Sequence, residues 1–370
     1  MTGGDGARVA VGAGGLRLED LDYGLPDELV AQHPVEPRDA ARLLVFRRAQ
    51  GTIDDRVFAE LPGLLRAGDV LVRNDTRVLP ARTFFRRATG GRIEVLFLRL
   101  AAPRPVGGAA PAEAWEALLR GRPRGGEKLV SEGLGETWGL VCEEAFGDGR
   151  WRVTSLGDRS VFDLLEQVGQ MPLPPYIHEA LDDPERYQTT YSRVLGSAAA
   201  PTAGLHFTPA LDAALAQAGV TLETVTLHVG LGTFKPLQEE TLARNHLHSE
   251  SFTVDAATWV RLLEARAQGR RVVAVGTTSM RTLEHLARRQ PEARSGGGPN
   301  LYRGETSLFI TPGFDFRVVD GLITNFHLPR TSLLALVMAF CGLQQARHVY
   351  AHAVRERYRF FSFGDAMLAL

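Results

Sequence analysis

From Asp69 to Ser155 the chain reads as a succession of short β-type runs, at 70–73, 93–100, 114–119, 138–142 and 151–155, with Gly, Pro and Arg turns between them and no helical periodicity. Helical patterning returns at 161–168, and strands then alternate with helices to the C-terminus. Successive strands without helices close into a small barrel or sandwich, whereas alternation lays helices on a largely parallel sheet. A length of 370 residues exceeds what one hydrophobic core serves, so two domains are expected, one inserted into the other. Upstream, residues 25–32 after Pro26 read as a short helix, 42–47 as a strand and 57–65 as a second helix. The Gly-rich start, the Ala/Gly/Pro-rich segment 101–112 and the Gly/Ser/Pro cluster 295–299 read as a disordered tail and two surface loops.

Apolar residues at 44% and charged residues at 23% are ordinary for a globular protein and exclude wholesale disorder. The longest apolar run, 332–341, is too short to cross a bilayer, and nothing near Met1 has a signal peptide's apolar stretch. Cys142 and Cys341 stand alone, with neither a disulfide framework nor a paired zinc spacing, which fits a reducing cytoplasm. The net charge is −1, but Arg77 to Arg124 carries ten arginines against acidic residues only at 94, 113 and 116. Such a stripe could hold an RNA backbone. It is equally what a chain with only two lysines shows when it uses Arg for solvated cations.

Chemistry gathers where apolar runs end. Thr208 and Pro209 mark a helix start, placing His206 just before it. The strand 221–227 runs into His228-Val-Gly230-Leu-Gly232-Thr233-Phe, whose glycines permit close backbone approach to a ligand but lack the dinucleotide fingerprint's third glycine and helix. The strand 271–275 feeds Gly276-Thr277-Thr278-Ser279 and a helix carrying Arg281, which reads either as an anion site or as a plain helix cap. The run 322–324 ends in Asn325-Phe-His327-Leu-Pro. In open α/β sheets such turns converge on one crevice, so the chain reads as an enzyme. His246, His248 and Glu250 offer a metal reading, that of a metal-dependent nucleotide hydrolase, but with no third ligand beyond Glu250 close in sequence no metal is expected. A non-catalytic tRNA-binding module built on the basic stripe is a second alternative, against which the loop histidines weigh.

Eight ordered segments then carry a resemblance that spans Leu21 to Leu370. They are residues 22–34, 68–82, 171–177, 201–208, 228–234, 275–281, 324–329 and 358–367. Together they resemble the S-adenosylmethionine:tRNA ribosyltransferase-isomerase family of queuosine biosynthesis. The resemblance implies a larger α/β domain (16–77 and 158–370) interrupted by an inserted small antiparallel β-barrel domain (78–157), with 1–15 as a tail. It implies transfer and isomerisation of the ribosyl part of S-adenosylmethionine onto 7-aminomethyl-7-deazaguanine at the tRNA wobble position. The products are epoxyqueuosine-tRNA, adenine and methionine. S-adenosylmethionine is then a consumed co-substrate, with no resident cofactor, and a cytoplasmic monomer is expected.

That chemistry needs a base to remove a proton beside the sulfonium, an acid for the departing adenine and an anchor for the methionine carboxylate. His228 or His206 is expected as base and His327 or His248 as acid. Arg281 with Thr277 and Thr278 is expected to hold the carboxylate, and Asp365 or Glu250 to orient a histidine. Thr202, Gly204, Gly230, Gly232, Thr233, Asn325 and Arg359 complete the expected substrate contacts. Tyr358-Arg359-Phe360-Phe361 offers either a stacking face for an RNA base or two rings of core packing. The sequence departs from the family pattern at Asn245, where a histidine is expected, at Leu247, where a methionine is expected, and at Arg330-Thr331-Ser332, where Lys-Ser-Thr is expected.

Overall fold

The computed structural model describes residues 15–101, 113–156, 160–179, 181–230, 237–289 and 300–370. Most of the expected tail, the 102–112 insert, the 295–299 loop, Gly232 and Thr233 lie outside them. In chain order the strands are β1 (Arg42–Arg47), β2 (Thr52–Val57), β3 (Val70–Asn74), β4 (Thr76–Val78), β5 (Arg82–Arg87), β6 (Arg92–Leu100), β7 (Ala114–Arg120), β8 (Lys128–Ser131), β9 (Gly135–Gly147) and β10 (Arg150–Leu156). They continue as β11 (Val194–Ser197), β12 (Thr221–Leu227), β13 (Glu250–Asp255), β14 (Val272–Val275), β15 (Leu301–Thr306), β16 (Gly321–Asn325) and β17 (Ala366–Ala369). The helices are α1 (Leu61–Leu64), α2 (Val161–Val168), α3 (Pro209–Gln217), α4 (Ala256–Ala267), α5 (Thr277–Arg289), α6 (Ser332–Cys341) and α7 (Leu343–Arg355).

Nine strands form one mixed sheet in the order β15-β13-β12-β3-β14-β16-β17-β1-β2. Its centre, β12, β3, β14 and β16, is parallel. Alternate residues of each central strand enter different cores: Val70 and Val72 pack with α4 to α7, while Leu71 packs with α1 and α3. Burial on both faces explains why these strands read as unbroken apolar runs, Leu43 to Phe46 and Val272 to Val275, rather than as alternating patterns. Thr208 caps α3 as expected, its Oγ1 accepting the Leu211 N–H at 3.1 Å.

The second unit is a closed barrel in the order β10-β7-β6-β5-β8-β9. Closure leaves no unpaired edge. Its inward positions, among them Phe85, Val95, Phe97, Trp115, Trp138 and Val153, make a core that α2 covers with Val161, Leu164 and Leu165. The fold is therefore an α/β architecture with an inserted antiparallel barrel. The run 70–73 that opened the succession is β3 of the large sheet, and two barrel strands, β5 and the four-residue β8, were not read from the sequence.

Two expected helices are corrected. Residues 25–32 make only the 3-10 turn Asp27–Leu29, because Phe360 N–H donates to Leu29 O and Ala31 N–H to Phe360 O, drawing this stretch into a ladder. Residues 57–65 divide into a 3-10 turn and the single turn of α1. The basic stripe is also largely compensated: Arg77, Arg82, Arg86, Arg87, Arg92, Arg99 and Arg120 each pair with a glutamate. Three of those partners, Glu127, Glu132 and Glu185, lie outside the window in which the charge was counted.

The fully buried Glu284 holds α5 in place. It accepts the backbone N–H groups of Arg317, Val318 and Val319 and pairs with Arg288 at 2.8 Å. Glu284→Ala leaves three backbone donors without their acceptor and Arg288 without its carboxylate, and is expected to lower the unfolding free energy by about 3–5 kcal/mol in urea titration. A loss below about 1 kcal/mol would contradict this anchoring role.

Candidate active site

β12, β14 and β16 all end on one side of the sheet, and their exits open into one cleft of about 670 Å³. At the end of β14, Gly276 adopts φ +86, and its N–H donates to Ile323 O at 2.8 Å, so the chain passes from strand to α5 within one residue. The first turn of α5 then presents Thr277 and Thr278 to the cleft. Ser279 does not join them, since its hydroxyl donates to Val275 O at 2.8 Å inside the helix. From β16 and the residues just after it come Thr324, Asn325 and His327, and Thr202, Tyr176, Phe361 and Ser362 also line the cleft. No Asp, Glu, Lys or Arg lines the cleft among the described residues. Its chemistry is hydroxyls, an amide, an imidazole, two aromatic rings and the start of a helix.

His327 lies in this cleft, with Nε2 2.7 Å from Thr324 Oγ1. Its backbone is fixed at both ends, the N–H donating to Tyr350 Oη at 3.1 Å and the carbonyl accepting from Tyr23. Burial pushes the imidazole down to about 3, so it is neutral at neutral pH. His206 sits behind the wall. Asn325 Nδ2 donates to its Nε2 at 3.3 Å, the ring is also bonded to the Arg38 backbone, and Phe58 stacks on it at 4.9 Å. Burial first, then Arg359 and Arg38, push His206 down to about 4. The ring therefore holds Asn325, which accepts from Thr202 at 2.9 Å and donates to Phe361 O at 3.1 Å. His228 follows β12 beside the cleft residue Val229, with Nδ1 2.8 Å from Thr76 Oγ1. Burial lowers its pKa while Asp75 opposes the shift.

The remaining expected residues are more dispersed. His246 and His248 are exposed in an irregular segment before β13, away from the cleft lining, and Glu250 instead pairs with Arg281 at 2.5 Å. Arg281 is likewise committed: besides Glu250 it donates to Leu308 O, and it does not reach the cleft wall, where it was expected to hold a carboxylate. Glu250 also accepts the Gly230 N–H at 3.1 Å, tying Gly230 to α5 through Arg281. Asp365 touches no histidine. Its oxygens accept the N–H groups of Arg42 and Arg359, and the Arg359 side chain lies 3.7 Å away, a structural arrangement of the 359–365 turn. Gly204 is buried where a Cβ would strike the Tyr191 hydroxyl. Asn245 clamps its own loop, accepting from Gln238 and Glu239 N–H and donating to Glu239 and Thr241 carbonyls. An imidazole cannot make that fourfold set.

Tyr358 and Phe360 are core residues, but Phe361 is at the cleft in a left-handed conformation, φ +70, 4.7 Å from the Tyr176 ring. Such backbone strain, about 1–3 kcal/mol, persists only where neighbours fix it, here through Phe326 O and the Asn325 amide. Tyr176, Ser362 and Thr331 were missed as site residues, as were Asn74 and Thr76 near His228, while Phe361 was weighed only within the 358–361 stacking face. Residues 73–76 lie inside a segment that carried the resemblance, and Arg73-Asn-Asp-Thr76 directly after an apolar run was the available signal.

Cleft and fold together define an α/β enzyme with an inserted barrel. Residues 18–369 match the family model of the queuosine biosynthesis protein, and the chain belongs to that family. It is 49% identical over 361 residues to the S-adenosylmethionine:tRNA ribosyltransferase-isomerase of Symbiobacterium thermophilum, covering 96% of this chain and 100% of that one. The enzyme of the same name from Rubrobacter xylanophilus is 50% identical over 357 residues, covering 96% and 98%. The crystal structure of S-adenosylmethionine tRNA ribosyltransferase from Thermotoga maritima matches with 37% identity and a TM-score of 0.53, over 95% of this chain and 100% of that one.

The buried neutral histidines make stability pH-dependent. An unfolded imidazole protonates near pH 6.5, but His206 and His327 resist protonation down to about 4 and about 3. Between those limits the unfolded chain binds more protons, so stability present above pH 6.5 is lost as pH falls toward 3, with a slope of about 1.4 kcal/mol per unit for each group. Urea midpoints at pH 7 and pH 5 are expected to diverge, and His327→Gln to reduce the divergence. Equal divergence in that variant would mean that another group carries the effect.

Proposed function

We propose that the chain is an S-adenosylmethionine:tRNA ribosyltransferase-isomerase, acting as a cytoplasmic monomer on tRNA that carries the 7-aminomethyl-7-deazaguanine wobble base. The observation that carries this reading is near-half identity along almost the whole chain to enzymes of that name, combined with a cleft at the carboxyl ends of the parallel strands. An uncharged wall suits a sulfonium nucleoside: a protonated imidazole or a guanidinium there would repel the ligand's own cation.

His228 is the base, taking a proton from the ribose carbon beside the sulfonium to give an ylide. Sugar-ring opening then expels adenine, which leaves with the proton that His228 removed and so returns His228 to its neutral form. The aminomethyl nitrogen attacks, and epoxide closure releases methionine. His327, neutral and buried, assists the departing base as a hydrogen-bond donor rather than as an imidazolium, with Thr324 holding its other nitrogen. The Thr277 and Thr278 hydroxyls with the α5 N-terminus take the methionine carboxylate, a role expected of Arg281 from sequence. Tyr176 and Phe361 supply an apolar face for a purine. His206 positions Asn325 and Thr202.

Purified protein incubated with S-adenosylmethionine and substrate tRNA is expected to release free adenine only when both are present. His228→Ala and His327→Ala are each expected to slow that release by roughly 10²–10⁴-fold. Tight tRNA binding with no adenine released would instead favour the binding-module reading.

A further inference from the structure

We infer that Thr76 and Gly196 are positioning residues that hold His228 as a single tautomer, with the proton on Nδ1 and the free lone pair on Nε2. The inference deepens the proposed role of His228 as base and rests on it. Two independent features converge on this ring.

The first is a hydrogen bond whose direction follows from the second partner of Thr76. Asn74 Oδ1 accepts the N–H groups of Leu227 and Thr76, which pins the β3–β4 junction to the end of β12. Thr76 is fully buried, with its Oγ1 2.8 Å from His228 Nδ1 and 3.4 Å from Val194 O. A hydroxyl has one proton and two lone pairs. With that proton donated to the Val194 carbonyl, Oγ1 accepts from Nδ1–H. The same bond survives when Nε2 takes a proton from the ribose carbon, so the imidazolium forms without reorienting the ring or the hydroxyl.

The second is a steric wall. β11 pairs in parallel with β4, but the register Val194 to Thr76 and Leu195 to Arg77 slips to Ser197 with Val78, leaving Gly196 bulged. Gly196 has φ +147, and a Cβ there would lie 3.0–3.2 Å from Cε1, Nε2 and Nδ1 of His228. The bare Cα therefore packs against the imidazole and fixes its plane. Nearby charge is compensated on both sides: Asp75 accepts from Thr226 and from the Arg193 fork, and Glu250 pairs with Arg281 and Gly230 N–H.

Nitrogen NMR of histidine-labelled protein at neutral pH, with His228 assigned by loss of its signals in His228→Gln, reads the tautomer without reference to turnover. The wild type is expected to carry its proton on Nδ1, and Thr76→Val to show a mixture. In the adenine-release assay Thr76→Val is expected to lose roughly 10–100-fold in kcat at unchanged KM for S-adenosylmethionine, with recovery in Thr76→Ser. Losing the Nδ1 acceptor disfavours the cation, so the acid limb of its pH profile moves to lower pH. Gly196→Ala is expected to lose roughly 10²-fold in kcat by displacing the ring, and serves if Thr76→Val does not fold. A wild-type proton on Nε2, or unchanged kcat in Thr76→Val or Gly196→Ala, overturns the inference. Normal turnover by His228→Gln would overturn the base reading itself while leaving the tautomer measurement standing.

Discussion

Burial of the central sheet on both faces governs where this molecule can do chemistry. With α4 to α7 against one face and α1 and α3 against the other, the apolar side chains of β3, β12, β14 and β16 are divided between two cores. Polar groups then gather where those strands end and their backbones turn outward. Gly276 turns sharply into α5, Asn325 and His327 continue from β16, and His228 from β12. The cleft follows from this geometry more than from any one residue in it.

A wall without formal charge has energetic consequences. Burial keeps the imidazoles of His206 and His327 neutral, and each has a fixed partner, Asn325 and Thr324. Ion pairs lie behind the cleft: Arg281 with Glu250, Arg193 with Asp75, Glu284 with Arg288. They hold Gly230, the Thr76 loop and α5, and so set the geometry of the neutral groups at the cleft. Such division of labour suits a cationic co-substrate whose reaction turns on small proton movements.

Much of this was legible in the residues. Continuous apolar runs such as Val272 to Val275 announced buried strands, Thr208-Pro209 announced a helix start, and uninterrupted strands after Asp69 announced the barrel. Segment order carried the family. Illegible parts were those settled by distant partners. Residues 25–32 have helical composition, yet Phe360 recruits their backbone. The arginine stripe looked like a cationic surface because three of its partner glutamates, Glu127, Glu132 and Glu185, lie outside it in the chain. Arg281 looked like an anion ligand until Glu250, thirty-one residues away, took its guanidinium.

What the sequence determined by itself was the alternation of apolar runs and the chemistry available at their ends, because periodicity and turn residues act locally. It also carried the family, through the order of its segments. Which of five loop histidines face a common cavity was decided only by tertiary structure. His327 and His206 are joined through the Asn325 amide, whereas His246 and His248 end up in solvent. The physical reason is that burial and hydrogen-bond partnership are properties of what packs against a residue, and those neighbours come from strands and loops far away along the chain.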